Sequence, residues 1–209
     1  EAAAAPAAPA QPGAPQPANQ FSVNQAVGDW AVRCALTSVK SPAPCDVIQV
    51  AVNQQSKLRV MSFSLAYVPS RDAYAMQVVV PTGVALSRGM ALAAGTRSLN
   101  GVKFNRCERD GCYVEMLIDA PTVAALSGAG KATSISVVAY GKTDPFQLPV
   151  SLTGFPEALE RMKNLSKERA VAIPAGTPTP PTVGSTPTAP APAAAPARAG
   201  RAAPARAGR

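Results

Sequence analysis

Four cysteines are the residues whose spacing most restricts the chemistry of this 209-residue chain. They are Cys34, Cys45, Cys107 and Cys112, and four cysteines allow three disulfide pairings. We favour the sequence-local pairs, because Cys34 and Cys45 flank a Pro/Ser-rich loop and Cys107 and Cys112 flank a short turn containing Gly111. Structural zinc and a redox role of the thiols are the competing interpretations, but the spacing does not fit zinc knuckles. Disulfides indicate an oxidising compartment.

The residue types needed for common catalytic sites are scarce. The chain has no histidine, which excludes Ser-His-Asp and Cys-His catalysis and histidine-ligated metals within one chain. No glycine-rich phosphate loop occurs. Glu115 and Asp119 lie four residues apart on one predicted strand and could form a carboxylate pair, although a solvated strand face is the plainer interpretation. A Ser/Lys dyad stays open. We expect no catalytic residues, no metal, no cofactor and no enzyme activity.

Composition divides the chain into three parts. Residues 1–20 and 170–209 are rich in Pro and Ala, have few large apolar side chains, and are expected to be disordered tails. Residues 21–169 are long enough to form one domain with its own core. No run of apolar residues is long enough for a transmembrane helix. An Ala-rich start after Glu1 is typical of an exported chain after removal of a signal peptide, so we expect a periplasmic location.

The C-terminal tail concentrates positive charge in a chain of net charge +8. The hexapeptide PARAGR occurs twice, at 196–201 and 204–209. Such a repeat is compatible with multivalent contact to an anionic polymer and equally with low-complexity drift. Nucleic-acid binding is not favoured, because the few aromatic residues fit a core. The candidate contacts to an anionic partner are Arg198, Arg201, Arg206 and Arg209.

Alternating apolar residues predict an all-β (mainly β) domain. In 47–52, for example, Ile48, Val50 and Val52 alternate with Val47, Gln49 and Ala51, a period typical of half-buried antiparallel strands. Asn100-Gly101 is a hairpin signal, and Pro149 predicts an edge position or a bulge for the last strand. The strands suggest an antiparallel β-sandwich or jelly-roll-like fold. The predicted strands are 47–52, 59–67, 74–80, 113–118, 134–140 and 146–152.

Two short helices are predicted within the β-rich region. Residues 121–127 begin with proline and end before Gly128, as short helices commonly do. Residues 155–168 carry an apolar stripe formed by Phe155, Leu159, Met162 and Leu165. We expect this stripe to pack on a sheet, and binding to a partner is the alternative.

Four short motifs follow one another along the middle of the chain. They are Gly28-Asp29-Trp30 followed by Cys34 and Cys45; Pro81-Thr82-Gly83-Val84 with Leu86 and Gly89; Cys107 with Gly111-Cys112; and Leu152-Thr153-Gly154-Phe155 followed by Ala158-Leu159. In this order they resemble the invasion-associated locus B family of exported alphaproteobacterial proteins. The similarity spans roughly residues 21–165 and excludes both tails.

The resemblance implies a periplasmic or outer-membrane-associated β-sandwich with the four cysteines in disulfides. It supplies no catalytic residue. The sequence therefore leads to three hypotheses. The first is a non-catalytic envelope protein that binds another protein, as an accessory subunit of an envelope assembly, and reaches either membrane through its partners. The second is a binding module for a glycan or an anionic envelope polymer, and the third is a hydrolase with an unrecognised site.

Overall fold

The computed structural model of the protein describes residues 21–129, 133–172, 182–183 and 186–187. The strands are β1 (Phe21–Val27), β2 (Trp30–Ala35), β3 (Cys45–Val52), β4 (Arg59–Val68), β5 (Ala73–Val80), β6 (Met90–Ala94), β7 (Arg97–Val102), β8 (Arg106–Glu108), β9 (Gly111–Asp119), β10 (Thr133–Val138), β11 (Pro145–Pro149), β12 (Thr182–Val183) and β13 (Thr186–Pro187). The helices are α1 (Ala120–Gly128) and α2 (Phe155–Arg169).

The strands form two sheets. The larger sheet has the order β1-β2-β3-β4-β5-β9-β12, with β8 paired to the start of β9, and the smaller has the order β11-β10-β6-β7-β13. Pairing is antiparallel except between β9 and β12. Helix α2 packs on β2, β3 and β4, and side chains from both sheets and both helices form one core. The mainly-β antiparallel sandwich expected from the sequence is confirmed.

The predicted strands coincide with β3, β4, β5, β9, β10 and β11. In strand β3, however, the more apolar set of alternating side chains does not face the core. Val47 and Gln49 are buried, whereas the Val50 and Val52 side chains are 50% and 44% exposed. Both faces of this strand carry β-branched residues, so alternation alone does not choose between them. Pro149 ends β11, which lies at the edge of its sheet as predicted.

The hairpin predicted at Asn100-Gly101 is wrong. Both residues lie inside β7, and the turn between β6 and β7 falls at Gly95 and Thr96. Gly101 has a φ of +62°, and the register between β6 and β7 shifts at this point. The positive φ therefore serves a bulge within a strand and not a two-residue turn.

The two predicted helices form close to the predicted bounds. The Asp119 side chain accepts a hydrogen bond from the Thr122 amide (3.0 Å) and caps α1 at its N-terminus. In α2, Phe155, Leu159 and Met162 are buried against the larger sheet. The stripe thus packs on the sheet, as expected, and is not a free surface for a partner.

Residues 1–20 lie outside the described part of the chain, as do most of 170–209 and the four arginines of the C-terminal tail. Within 170–209, where we expected no packed structure, two pairs of residues form short strands. Thr182–Val183 pairs with β9 and Thr186–Pro187 pairs with β7, so this part of the chain adds to an edge of each sheet. Among the described residues, no helix is long and apolar enough to cross a membrane.

Candidate functional site

Two of the short motifs, from opposite ends of the domain, meet in the structure. Gly28 in the β1–β2 turn and Gly154 before α2 both have positive φ, +60° and +79°. A Cβ on Gly28 would lie 2.4 Å from the Thr153 carbonyl oxygen, and one on Gly154 would lie 2.4 Å from the Val27 carbonyl oxygen. The two backbones are therefore in contact at a distance that only glycine permits. The Asp29 amide donates to the Thr153 carbonyl (3.1 Å).

Trp30 connects this backbone contact to the hydrophobic core. Its ring is 2% exposed and lies against Phe155 (4.7 Å between ring centroids) and Phe63 (5.8 Å). The indole Nε1 donates to the Ser151 carbonyl (2.9 Å), which satisfies the polar group of a buried tryptophan. The ring and its hydrogen bond thus fix residues 151–155 relative to the start of β2.

Gln49 holds the same segment from β3. Its side chain is buried, its Nε2 donates to the Ser151 carbonyl (3.0 Å), and its Oε1 accepts from the Ser151 amide (3.0 Å). These two bonds satisfy both backbone groups of Ser151, as a neighbouring strand would. We define the junction as Gly28–Trp30, Gln49 and Ser151–Phe155.

A small polar cluster lies at the surface of the junction. The Ser151 hydroxyl donates to Asp29 Oδ2 (2.5 Å) and accepts from the Thr153 amide (3.3 Å). A serine activated for nucleophilic attack needs a base such as imidazole or a lysine amine, and the chain has no histidine. Asp29 is an exposed carboxylate and a weak base for a serine hydroxyl. The cluster places a hydroxyl and a carboxylate at the surface, both of which can form hydrogen bonds with a ligand.

A cavity of about 830 Å³ opens beside the junction, within the range of ligand-binding clefts. One of its buried groups, the Thr133 hydroxyl, has no hydrogen-bond partner in the described part of the chain. Buried polar groups are generally paired, so this hydroxyl is an unused hydrogen-bonding group at the cavity wall. The lining residues are Asp29, Gln49, Val50, Ala51, Val52, Gln54, Thr133, Pro149, Val150, Ser151, Leu152 and Thr153.

One wall of this cavity is the end of strand β3. Strand β2 pairs with β3 only from Cys34–Cys45 to Ala31–Ile48, because the chain turns away at Gly28 and Asp29. Residues 50–52 continue to pair with β4 on their other side. The strand therefore has a one-sided edge here, which we call the β3 edge (Val50–Val52).

The four cysteines lie away from the junction. The structure joins Cys34 to Cys45 and Cys107 to Cys112, the sequence-local pairing that we favoured. The first disulfide links neighbouring strands at the far end of β2 and β3, and the second closes the β8–β9 hairpin. No group of metal-ligating side chains occurs among the residues that the structure describes.

The carboxylate pair considered as a hydrolase site has other partners. Glu115 accepts from Gln77 Nε2 (2.8 Å) and forms an ion pair with Arg106, while Asp119 caps α1. Glu115 and Asp119 therefore have structural contacts and do not converge on a common cavity, since the cavity beside Glu115 does not include Asp119.

The β8–β9 hairpin carries a cluster of paired charges. Hydrogen bonds to Glu108 and Glu115 raise the pKa of Arg106, whose guanidinium lies 4.1 Å from the Tyr113 ring centroid. Hydrogen bonds from Tyr113 and Arg59 lower the pKa of Asp110. These charges are matched with one another and stabilise the hairpin surface.

The sequence alone did not identify Gln49, Ser151 or Thr133 as site residues. One signal was available for Gln49, a polar residue in an otherwise apolar strand. The partner of Gln49 lies 102 residues away, so local pattern could not supply it. Asp29 was noted within a motif, but its contact with Ser151 depends on the meeting of the two motifs.

Comparison with known proteins gives a consistent family. The family model described as "Invasion associated locus B (IalB) protein" matches residues 30–163. An invasion protein B homolog of Brucella abortus (strain 2308) is 27% identical over 151 residues, covering 72% of this chain and 85% of that protein. Invasion protein B of Bartonella bacilliformis is 27% identical over 154 residues, covering 72% of this chain and 80% of that protein.

A solved structure has the same fold. The crystal structure of invasion associated protein b from Bartonella henselae matches with a TM-score of 0.60 and 25% sequence identity. The match covers 70% of this chain and 99% of the solved chain. The shared part is thus the sandwich domain.

Proposed function

Because the chain belongs to the invasion associated locus B family, we propose that it is a non-catalytic protein of the cell envelope that binds another protein. In this role it is an accessory subunit of an envelope assembly. The names of its relatives refer to invasion and to no enzyme activity. The remaining support comes from the chain's own residues.

A periplasmic location is supported by the two disulfides, which persist in oxidising compartments and are rare in the cytosol. The described residues contain no free cysteine. A non-catalytic role is supported by the chemistry of the junction, where the Ser151 hydroxyl contacts Asp29 and Thr153 and no lysine amine among the described residues.

One observation carries the binding role: a group of exposed apolar residues at the end of β3 and in the hairpin that follows it. The group consists of Val50, Val52 and Leu58, which are 50%, 44% and 68% exposed. Val52 pairs with Arg59, so Val52 and Leu58 lie on the two sides of the hairpin that joins β3 to β4. Exposed apolar residues grouped in one region of a protein surface mark contact sites for other proteins.

Affinity capture from the detergent-solubilised envelope of the producing bacterium tests this proposal. The full chain should recover a stoichiometric partner, and Leu58→Asp should reduce recovery by about tenfold, as loss of a central apolar contact does. Val39→Asp is the matched control, because Val39 is similarly exposed (53%) but lies in the loop between Cys34 and Cys45. Failure to recover any stoichiometric partner, or equal recovery by the two variants, would refute the proposal.

A further inference from the structure

The direction in which each backbone group of strand β3 points can be worked out from the start of the strand. The Ala35 amide donates to the Pro44 carbonyl (2.9 Å), so the Pro44 carbonyl points toward β2. Backbone groups alternate in direction along a strand. Every second residue therefore directs its backbone groups to the same side. Those of Ile48 point toward β2, where Ile48 pairs with Ala31, and those of Val50 and Val52 point to the same side.

Strand β2 does not extend far enough to pair with Val50 and Val52, so their backbone groups on this side have no strand opposite them. Across the cavity lie residues 149–153, whose backbone at Ser151 is already bonded to the Gln49 side chain. Neither Val50 nor Val52 has a hydrogen bond toward this side among the described residues. The β3 edge therefore presents unpaired N–H and C=O groups to an open cavity, with exposed valine side chains beside them.

Two other strand edges, at β11 and β1, are less open to an added strand. Strand β11 begins and ends with a proline, Pro145 and Pro149, which cannot donate to an added strand. Along β1, side chains from α2 reach over the edge: Arg161 bonds to Gln25 (3.0 Å) and Arg169 bonds to Ser22 (2.7 Å). The β3 edge has no such cover in the described part of the chain.

We infer that the β3 edge binds an extended polypeptide segment of a partner protein by strand addition. This inference rests on the proposed function and names the form of its partner. Main-chain hydrogen bonds to Val50 and Val52 supply affinity, and side chains of the segment alternate between two environments. One set packs on the exposed valines.

The charge of the segment follows from Asp29 at the rim of the cavity. Its carboxylate accepts a hydrogen bond from Ser151 and forms no ion pair with a described residue. A lysine or arginine of the segment fits beside it, because a carboxylate without an ion-pair partner accepts charge-assisted hydrogen bonds from a cation. The expected partner segment is thus extended, free of proline at its pairing positions, and basic.

The inference can be tested by phage display: random peptides of about nine residues are selected for binding to the full chain. The affinities of the selected peptides are then measured for the parent chain and for variants. Val50→Pro is the decisive variant, because it removes the amide that faces the cavity and leaves the β3–β4 hydrogen bonds in place. Val50→Thr is the matched control, since threonine keeps the amide and the branched shape. Thermal melting must show that both variants are folded.

Enriched peptides should carry Lys or Arg, lose about tenfold in affinity for Val50→Pro, and bind Val50→Thr as they bind the parent chain. Asp29→Asn should weaken binding of the same peptides and provides a second readout should Val50→Pro fail to fold. No enriched peptide, or equal affinity for Val50→Pro and Val50→Thr, would overturn the inference.

Two further outcomes separate the alternatives. Peptides that bind only after deletion of residues 1–20 would assign the edge to the chain's own N-terminal segment and overturn the assignment to a partner. An envelope partner that is captured equally by Val50→Pro and by the parent chain, and lost by Leu58→Asp, would overturn strand addition while the proposed function stands.

Discussion

The two disulfides should contribute unequally to stability. Cys34 and Cys45 are separated by 11 residues and Cys107 and Cys112 by 5. In the chain-entropy description, closing loops of these lengths stabilises the fold by about 3 and about 2 kcal/mol. Cys34 and Cys45 are also 1% exposed and part of the core, whereas Cys107 is exposed.

Replacement of each pair by alanine makes the difference measurable. Cys34→Ala/Cys45→Ala removes the cross-link and two packed sulfur atoms, each of which contributes about 1 kcal/mol, so we expect a loss of about 5 kcal/mol. Cys107→Ala/Cys112→Ala removes the shorter cross-link and one buried sulfur, a loss of about 3 kcal/mol. A domain of this size has about 5–15 kcal/mol of stability, so the second variant should remain folded.

Denaturant unfolding followed by fluorescence provides the assay. The chain has a single tryptophan, Trp30, which is packed between Phe63 and Phe155 and should report loss of the core directly. Under mild reduction of the native protein, the exposed Cys107–Cys112 disulfide should open before Cys34–Cys45. Equal losses in the two variants, or loss of a cooperative transition in Cys107→Ala/Cys112→Ala, would refute the view that these disulfides hold local loops on a self-sufficient core.

Two further predictions concern the core and the junction. Burial, with smaller contributions from the charges of Asp72 and Glu160, raises the pKa of Tyr74 to about 12 from 10.0. The unfolded chain then ionises first, so the contribution of Tyr74 to stability is constant well below pH 10 and falls by about 2 kcal/mol as the pH rises from 10 to 12. Tyr74→Phe should lose less stability over this range, and equal slopes in denaturant titrations would contradict this. Gly154→Ala should lower the free energy of unfolding by more than about 2 kcal/mol, because its Cβ meets the Val27 carbonyl. Gly101→Ala, also at positive φ but with open space around it, should lower it by about 1 kcal/mol. Similar losses of melting temperature in the two variants would contradict the close contact.

Local pattern predicted much of the sandwich. Strands β4 and β5 each have one strongly apolar face, so the period of two gave their bounds and their buried sides. Helix α2 has a single apolar stripe and a proline in its first turn, which fixed its position. These elements are specified by residues close together in the chain.

Other features depend on distant residues and were missed for that reason. Strand β3 has apolar residues on both faces. Gln49 can occupy a buried position because its side-chain amide forms hydrogen bonds with the backbone of Ser151, 102 residues later. The Asn100-Gly101 signal reports that Gly101 adopts positive φ, but a bulge and a hairpin turn both need that conformation. The packing of neighbouring strands decides between them.

The junction links the family motifs to the proposed binding edge. The chain must turn at Gly28 for Asp29 to donate to Thr153, and the same turn ends β2 before it can cover residues 50–52. Gly154 holds the other side of the contact at a distance that no side chain permits. A substitution that displaced residues 149–154 would therefore disturb the cavity wall and the β3 edge together. The glycines of the two motifs are needed for the close backbone contact, and through it they leave the β3 edge without a neighbouring strand.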